Sequence, residues 1–241
     1  MAGFVFPLLL LTAGLPLAAG SVSGKVDLRD SKDSTVSKKM DFSGVVVWLD
    51  PASGGPLSWP APVTEDPRAR MVQKSKAFTP HVLPVRVGTT VDFPNFDPIF
   101  HNAFSNYDGK VFDVGLYPPG TSRSVNFQRP GIVRVFCNIH AAMSAVIVVL
   151  NTPYFAETSK AGHFELPGIP AGEYWLRIFH ERATQATLDA AARRVVVTAE
   201  PLVLPAIAVS ESGYLAIPHK NKFGHDYTGD PDDSAYPAVH K

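Results

Sequence analysis

The chain's one cysteine ends a valine-rich run and begins a short loop: Val133-Arg134-Val135-Phe136-Cys137-Asn138-Ile139-His140-Ala141-Ala142-Met143. Val133 to Phe136 has the residue types of a strand. His140 and Met143 then follow at three-residue intervals. Upstream, Asp97-Pro98-Ile99-Phe100-His101-Asn102 supplies a second imidazole. A fold that accommodates this chain must either bury a lone thiol in its core or gather two sulfurs and two imidazoles at one point.

The remaining sequence favours an all-β protein. Its 241 residues include 22 prolines and 18 glycines, spaced along the chain, with valine-rich runs between them. Many short strands separated by turns follow from that pattern. Ser23 to Arg29 alternates like a first strand, and residues 30–41 are polar and loop-like. Phe42 to Leu49 is apolar throughout and predicts a buried strand. Asp50 to Pro67, with five prolines, is a connection. Val82–Val87, Thr90–Phe93, Ser122–Phe127, Ile132–Phe136 and Ala145–Leu150 predict a block of strands. Gly162–Leu166, Glu173–Phe179, Arg194–Thr198 and Leu202–Val209 predict another, with a helical turn over Thr187–Arg193. Residues 211–241 form a polar tail.

Lysine plus arginine equals aspartate plus glutamate, 22 each. No basic excess is available for a nucleic-acid partner. Ala2 to Gly20 carries no charged side chain, has an apolar stretch over Phe4–Leu11 and ends in Leu17-Ala18-Ala19-Gly20. Residues 1–20 therefore suggest a signal peptide cleaved near Gly20, with a periplasmic or secreted product and no membrane association after cleavage. A retained membrane anchor is the alternative. Export brings oxidising conditions, and Cys137 has no partner within the chain. Burial would protect the thiol, and so would a metal.

One thiolate, two imidazoles and one thioether are the donor set of a type 1 (blue) copper site. In that reading His101, Cys137 and His140 are the strong ligands and Met143 is the weak axial one. Zinc accepts nitrogen and sulfur donors too, but its structural sites favour cysteine and histidine without methionine. Met71 is a second candidate thioether. His81 is expected to be structural. His219, His225 and His240 lie in the tail and are expected to be solvated. No His-x-His pair, phosphate-cradling glycine loop or Gly-x-Ser-x-Gly elbow occurs, and no enzymatic chemistry is assigned.

Two stretches resemble known families. Phe93-x-Asn95-x-Asp97-x-x-x-His101-Asn102, followed by Pro130-Gly131-x-x-x-x-Phe136-Cys137-x-x-His140-x-x-Met143, resembles the cupredoxins, plastocyanin and amicyanin in particular, and exported bacterial proteins of the methylamine-utilisation type. The resemblance implies a Greek-key β-sandwich over about residues 68–150, and one copper ion held by His101, Cys137, His140 and Met143. It also implies a partly exposed His140 through which electrons leave. Thr158-x-x-x-Gly162-x-Phe164-x-Leu166-x-x-Ile169-Pro170-x-Gly172-x-Tyr174-x-Leu176 resembles the carboxypeptidase regulatory-like domain, a small transthyretin-like β-sandwich. That unit would comprise residues 21–58 and 151–210, with the copper unit inserted between them. Two sandwiches in tandem are the alternative.

Three functions remain open at this stage. The first is an exported electron carrier between redox partner proteins. The second is a copper-handling protein that delivers or senses the metal. The third is an adhesion or carbohydrate-binding β module whose metal site is lost.

Overall fold

The computed structural model of the chain describes residues 19–54, 66–106, 109–215 and 218–227. The apolar N-terminal segment up to residue 18 lies outside the described residues, as does His240. Ala19 and Gly20 already belong to the first strand. Among the described residues, no helix is long and apolar enough to cross a membrane.

The protein is all-β, with 47% of the described residues in strands and 6% in helices. Strands β1 (Ala19–Arg29) and β2 (Val46–Pro51) come first. Between them Asp33 caps a one-turn helix, α1 (Ser34–Ser37), by accepting a hydrogen bond from the Thr35 amide. That turn falls within the segment expected to be loop. Next come β3 (Arg68–Arg70), β4 (Val72–Lys74), β5 (Ala77–Thr79), β6 (Val82–Arg86) and β7 (Thr90–Pro94). They are followed by β8 (Phe104–Ser105), β9 (Phe112–Asp113), β10 (Ser122–Asn126), β11 (Gly131–Phe136) and β12 (Ser144–Leu150). The chain continues through β13 (Phe155–Glu157), β14 (His163–Pro170), β15 (Gly172–Phe179), α2 (Gln185–Ala191), β16 (Arg193–Val197), β17 (Leu202–Val203) and β18 (Ile207–Ser210).

The strands pair in two groups. β3, β7 and β10 form one sheet, and β6, β12, β11, β8 and β9 another. They face each other across a core that contains Val91, Phe93, Phe127, Val133, Val135 and Ile147. The other group joins the start of the chain to its later part. β2 lies between β13 and β15, with Val46 opposite Phe179 and Leu49 opposite Leu176. β1 pairs with β14 antiparallel and with β17 and β18 in parallel. These two sheets enclose Val26, Val47, Leu49, Leu166, Leu176 and Ile207. Among the described residues, no ladder joins the two groups.

Residues of the second motif do identifiable work here. Thr158 is buried, accepts from Val45 N at 3.2 Å and donates to Phe42 O at 2.7 Å. It ties the approach to β2 to a segment more than a hundred residues later. Gly162 has φ +82°, and a Cβ there would lie 2.1 Å from Val26 O, so only glycine fits.

A third apolar cluster connects the groups. Val46 and Phe179 of the second group meet Val82, Val146, Val148 and Leu150 of the first. β12 thus has a core on each side: Ile147 and Val149 point into one, Val146, Val148 and Leu150 into the other. Its unbroken apolar run is what such a doubly covered strand requires.

His81, just before β6, adds a polar link. Its Nε2 lies 2.8 Å from Glu181 Oε2, and its Nδ1 lies 3.0 Å from Ser144 O. The Glu181 hydrogen bond raises the His81 pKa above its ordinary 6.5. Burial pushes the Glu181 carboxyl up, but the His81 bond and the charges of His81, Arg182 and His180 together outweigh it, and the net shift is downward from 4.5. A raised imidazole stabilises the folded state below its unfolded pKa and loses that contribution as pH rises through the folded value. A depressed carboxyl loses its contribution as pH falls through its own folded value. The stability difference between wild type and His81→Gln should therefore be largest between the ordinary carboxylate value of 4.5 and the ordinary imidazole value of 6.5, and shrink as pH rises above 6.5. Urea unfolding midpoints across that range test this; a difference that grows with pH would refute it.

Candidate metal centre

β11 carries Cys137 to one end of its sandwich. Phe136, the last residue of the strand, pairs with Ser144 of β12 and with Phe104 of β8. The loop that follows closes on itself. Cys137 N donates to Met143 O at 3.1 Å, and Met143 N donates to His140 O at 3.1 Å. His101 arrives from the loop before β8. Its backbone exchanges two hydrogen bonds with Tyr117, at 3.2 and 2.9 Å.

Three donors converge. His101 Nδ1 lies 3.1 Å from His140 Nδ1. Cys137 Sγ lies 3.4 Å from His140 Nδ1 and 3.8 Å from His101 Nδ1. All three side chains are buried. Nitrogen and sulfur donors held by one ion at about 2.0–2.3 Å in a plane stand about 3.5–3.8 Å apart. The observed triangle is of that size, so the three groups fit a single ion. Met143 is fully buried in the same core cluster as Cys137. Met71 is also fully buried in that cluster.

The loop that bears His101 is held by bonds centred on two asparagines, Asn95 and Asn102. Asn95 is fully buried; its Nδ2 donates to Ile99 O at 2.8 Å and its Oδ1 accepts from Asp97 N at 3.0 Å. Its backbone bonds Thr121 O and Gly120 N, both at 2.9 Å. Asn102 Nδ2 donates to Asp113 Oδ1 at 2.7 Å and to Gly115 O at 3.0 Å. The Tyr117 hydroxyl donates to Phe93 O at 2.8 Å, and burial together with the nearby Cys137 pushes its pKa up. Asp97 Oδ2 lies 2.6 Å from His101 Nε2. Asp97 stood in the sequence motif four residues before His101, but spacing alone gave it no role.

The expected exposure of His140 needs correcting. Its side chain is 2% exposed. The ring turns inward toward Cys137 and His101, and residues 218–227 lie along the outside of its loop. His219 stacks on Phe136 with ring centroids 4.0 Å apart. His219 Nε2 bonds Ala141 O at 2.8 Å, Tyr227 Oη donates to Cys137 O at 2.7 Å, and Lys222 N donates to Asn138 Oδ1 at 2.9 Å. Lys222 Nζ reaches Asp113 Oδ2 at 2.6 Å. Burial raises the Asp113 pKa, and bonds from Lys222, Gly115 N and Asn102 more than offset it. His219, expected to be solvated, is thus part-buried with both ring nitrogens engaged, the second by Tyr227 and Lys220. His225 is exposed, as expected. Large exposed apolar side chains flank the His101 loop instead: Phe96, Phe100 and Leu116.

No protein-family profile matches the chain, and no curated protein does. Solved structures resemble part of it. A purple cupredoxin from Nitrosopumilus maritimus is 24% identical over 34% of this chain and 99% of its own, with a TM-score of 0.31. A copper-containing nitrite reductase from Thermus scotoductus SA-01 is 29% identical over 42% of this chain and 27% of its own, with a TM-score of 0.35. Amicyanin from Paracoccus versutus is 15% identical over 42% of this chain and 91% of its own, with a TM-score of 0.32.

Replacing Asn95 by alanine should strand the buried Ile99 carbonyl and Asp97 amide. The expected loss of stability is about 1–3 kcal/mol, measurable by denaturant unfolding. A loss within error of zero would show that the loop does not depend on Asn95.

Proposed function

We propose that this protein is an exported cupredoxin-type electron carrier. In this reading His101, Cys137 and His140 hold one copper ion of type 1, with Met143 as a weak fourth ligand. The observation that carries it is the meeting of two Nδ1 atoms and one thiol sulfur, 3.1–3.8 Å apart, in a buried pocket at the end of a β-sandwich. Copper in such a site supplies one-electron chemistry. The protein's own contribution is rigidity. Cys137 follows directly from a strand paired on both sides, and the bonds Cys137 N to Met143 O and Met143 N to His140 O fix the loop. Donors held in this way move little when the metal changes oxidation state. Burial of all three also favours keeping the ion over delivering it, which supports the carrier over the copper-handling alternative.

In this reading the protein performs no chemistry on a substrate. Its partners are redox proteins that dock near the metal end, where Phe96, Phe100 and Leu116 offer apolar contact. The pairing of β2 with β13 and β15 supports an inserted arrangement, in which the copper unit interrupts a host sandwich of the carboxypeptidase regulatory-like kind. The host serves as scaffold or partner-binding module. The apolar, uncharged stretch before Gly20 supports export to the periplasm or beyond.

Copper(II) added to the purified apoprotein should give an intensely coloured complex at one ion per chain, with reversible one-electron voltammetry. Cys137→Ser should abolish the colour. A colourless copper(II) complex of the wild type would overturn the assignment.

A further inference from the structure

His101 has two ring nitrogens, and only Nδ1 faces Cys137 and His140. The other, Nε2, meets the Asp97 carboxylate at 2.6 Å. Asp97 is 4% exposed. A buried carboxylate is costly unless its oxygens are fully bonded. Here the hairpin between β4 and β5 supplies the bonds. Lys74 pairs with Ala77, leaving Ser75 and Lys76 as a two-residue turn. Both have positive φ, +56° and +53°, as a type I′ turn requires. Neither is glycine or asparagine, so the turn is held against local preference. That conformation aims both amides at one carboxyl. Ser75 N donates to Asp97 Oδ1 at 2.5 Å and Lys76 N to Asp97 Oδ2 at 2.9 Å.

We infer that Asp97 is a positioning residue of the metal centre: anchored by the two amides of the Ser75–Lys76 turn, its carboxyl accepts the Nε2–H of His101, fixes the orientation of the ring and turns Nδ1 toward Cys137 and His140. The inference rests on the copper assignment above and adds a residue to it. A carboxylate behind a ligating imidazole sets the ring's orientation and raises its basicity, and its loss typically weakens metal binding about 10–100-fold. A more basic imidazole would favour the more positive oxidation state of a bound ion, so the bond from His101 Nε2 to Asp97 would lower the reduction potential.

The first test needs no metal. Nitrogen-15 NMR of the imidazoles in the wild-type apoprotein should show His101 Nε2 protonated. A lone-pair signal at His101 Nε2 would overturn the inference whatever the metal does. The second test compares variants loaded with copper. Asp97→Ala removes the acceptor and should weaken copper binding about 10–100-fold. Asp97→Asn keeps the shape but weakens the bond to His101 Nε2, and should raise the reduction potential. Wild-type affinity and potential in both variants would overturn the role of Asp97 and leave the copper assignment standing. A wild type that gives no coloured copper complex would overturn the copper assignment, and with it the metal-directed part of this inference; the NMR result would then judge the Asp97–His101 contact alone. If Asp97→Ala does not fold, Asp97→Asn and the wild-type NMR still decide.

Discussion

The structure depends on one strand that is covered on both faces. β12 sends Ile147 and Val149 into the core behind the metal centre, and Val146, Val148 and Leu150 into the junction with the other strand group. It pairs with β11, whose end sets Cys137, and with β6, which follows His81. Burying apolar area on two sides roughly doubles what the strand as a whole contributes, at about 25 cal/mol per Å². The strand that fixes the thiol's position is thereby among the least free to shift. Metal geometry and the seating of the two strand groups share one element.

Around the metal centre the same logic operates with polar groups. Asn95, Asn102, Asp97 and Tyr117 are all buried, and each is bonded to backbone of a neighbouring strand or loop. None of them need touch an ion. Together they turn three loops of different origin into one rigid rim. The chain from 218 to 227 adds an outer layer over Phe136, Cys137, Asn138 and Ala141. His140 is enclosed from both directions as a result.

Much of this was legible in the sequence, and the gaps have physical causes. Local pattern revealed the strands, since valine runs and proline–glycine punctuation act over a few residues. The convergence of Cys137 and His140 was legible for the same reason, being set by one strand end and one tight loop. His101 needed the motif around Asn95 as well. What the sequence did not reveal are contacts between distant segments. His140 looks exposed until residues 219–227, roughly eighty positions on, are laid over its loop. Glu181 lies a hundred residues from His81. The pairing of Val46–Pro51 with Gly172–Phe179 appeared only as one of two alternatives, because alternation reports which face is buried and not which strand lies beside it. Asp97 was visible as a letter in a motif; its role depends on a turn whose positive φ angles no propensity of Ser75 or Lys76 foretells.

The ladders of β1 and β2 carry a consequence for biosynthesis. Neither strand has a partner from the ten strands that follow it, and their neighbours run from β13 to β18. A growing chain emerges from its N-terminus, so both must wait, edges unsatisfied, while the whole of β3 to β12 is made and can already close its own core. Waiting edges of this kind are where nascent chains pair wrongly. The long interval between a strand and its mate makes β1 and β2 the segments with most to gain from a holding chaperone.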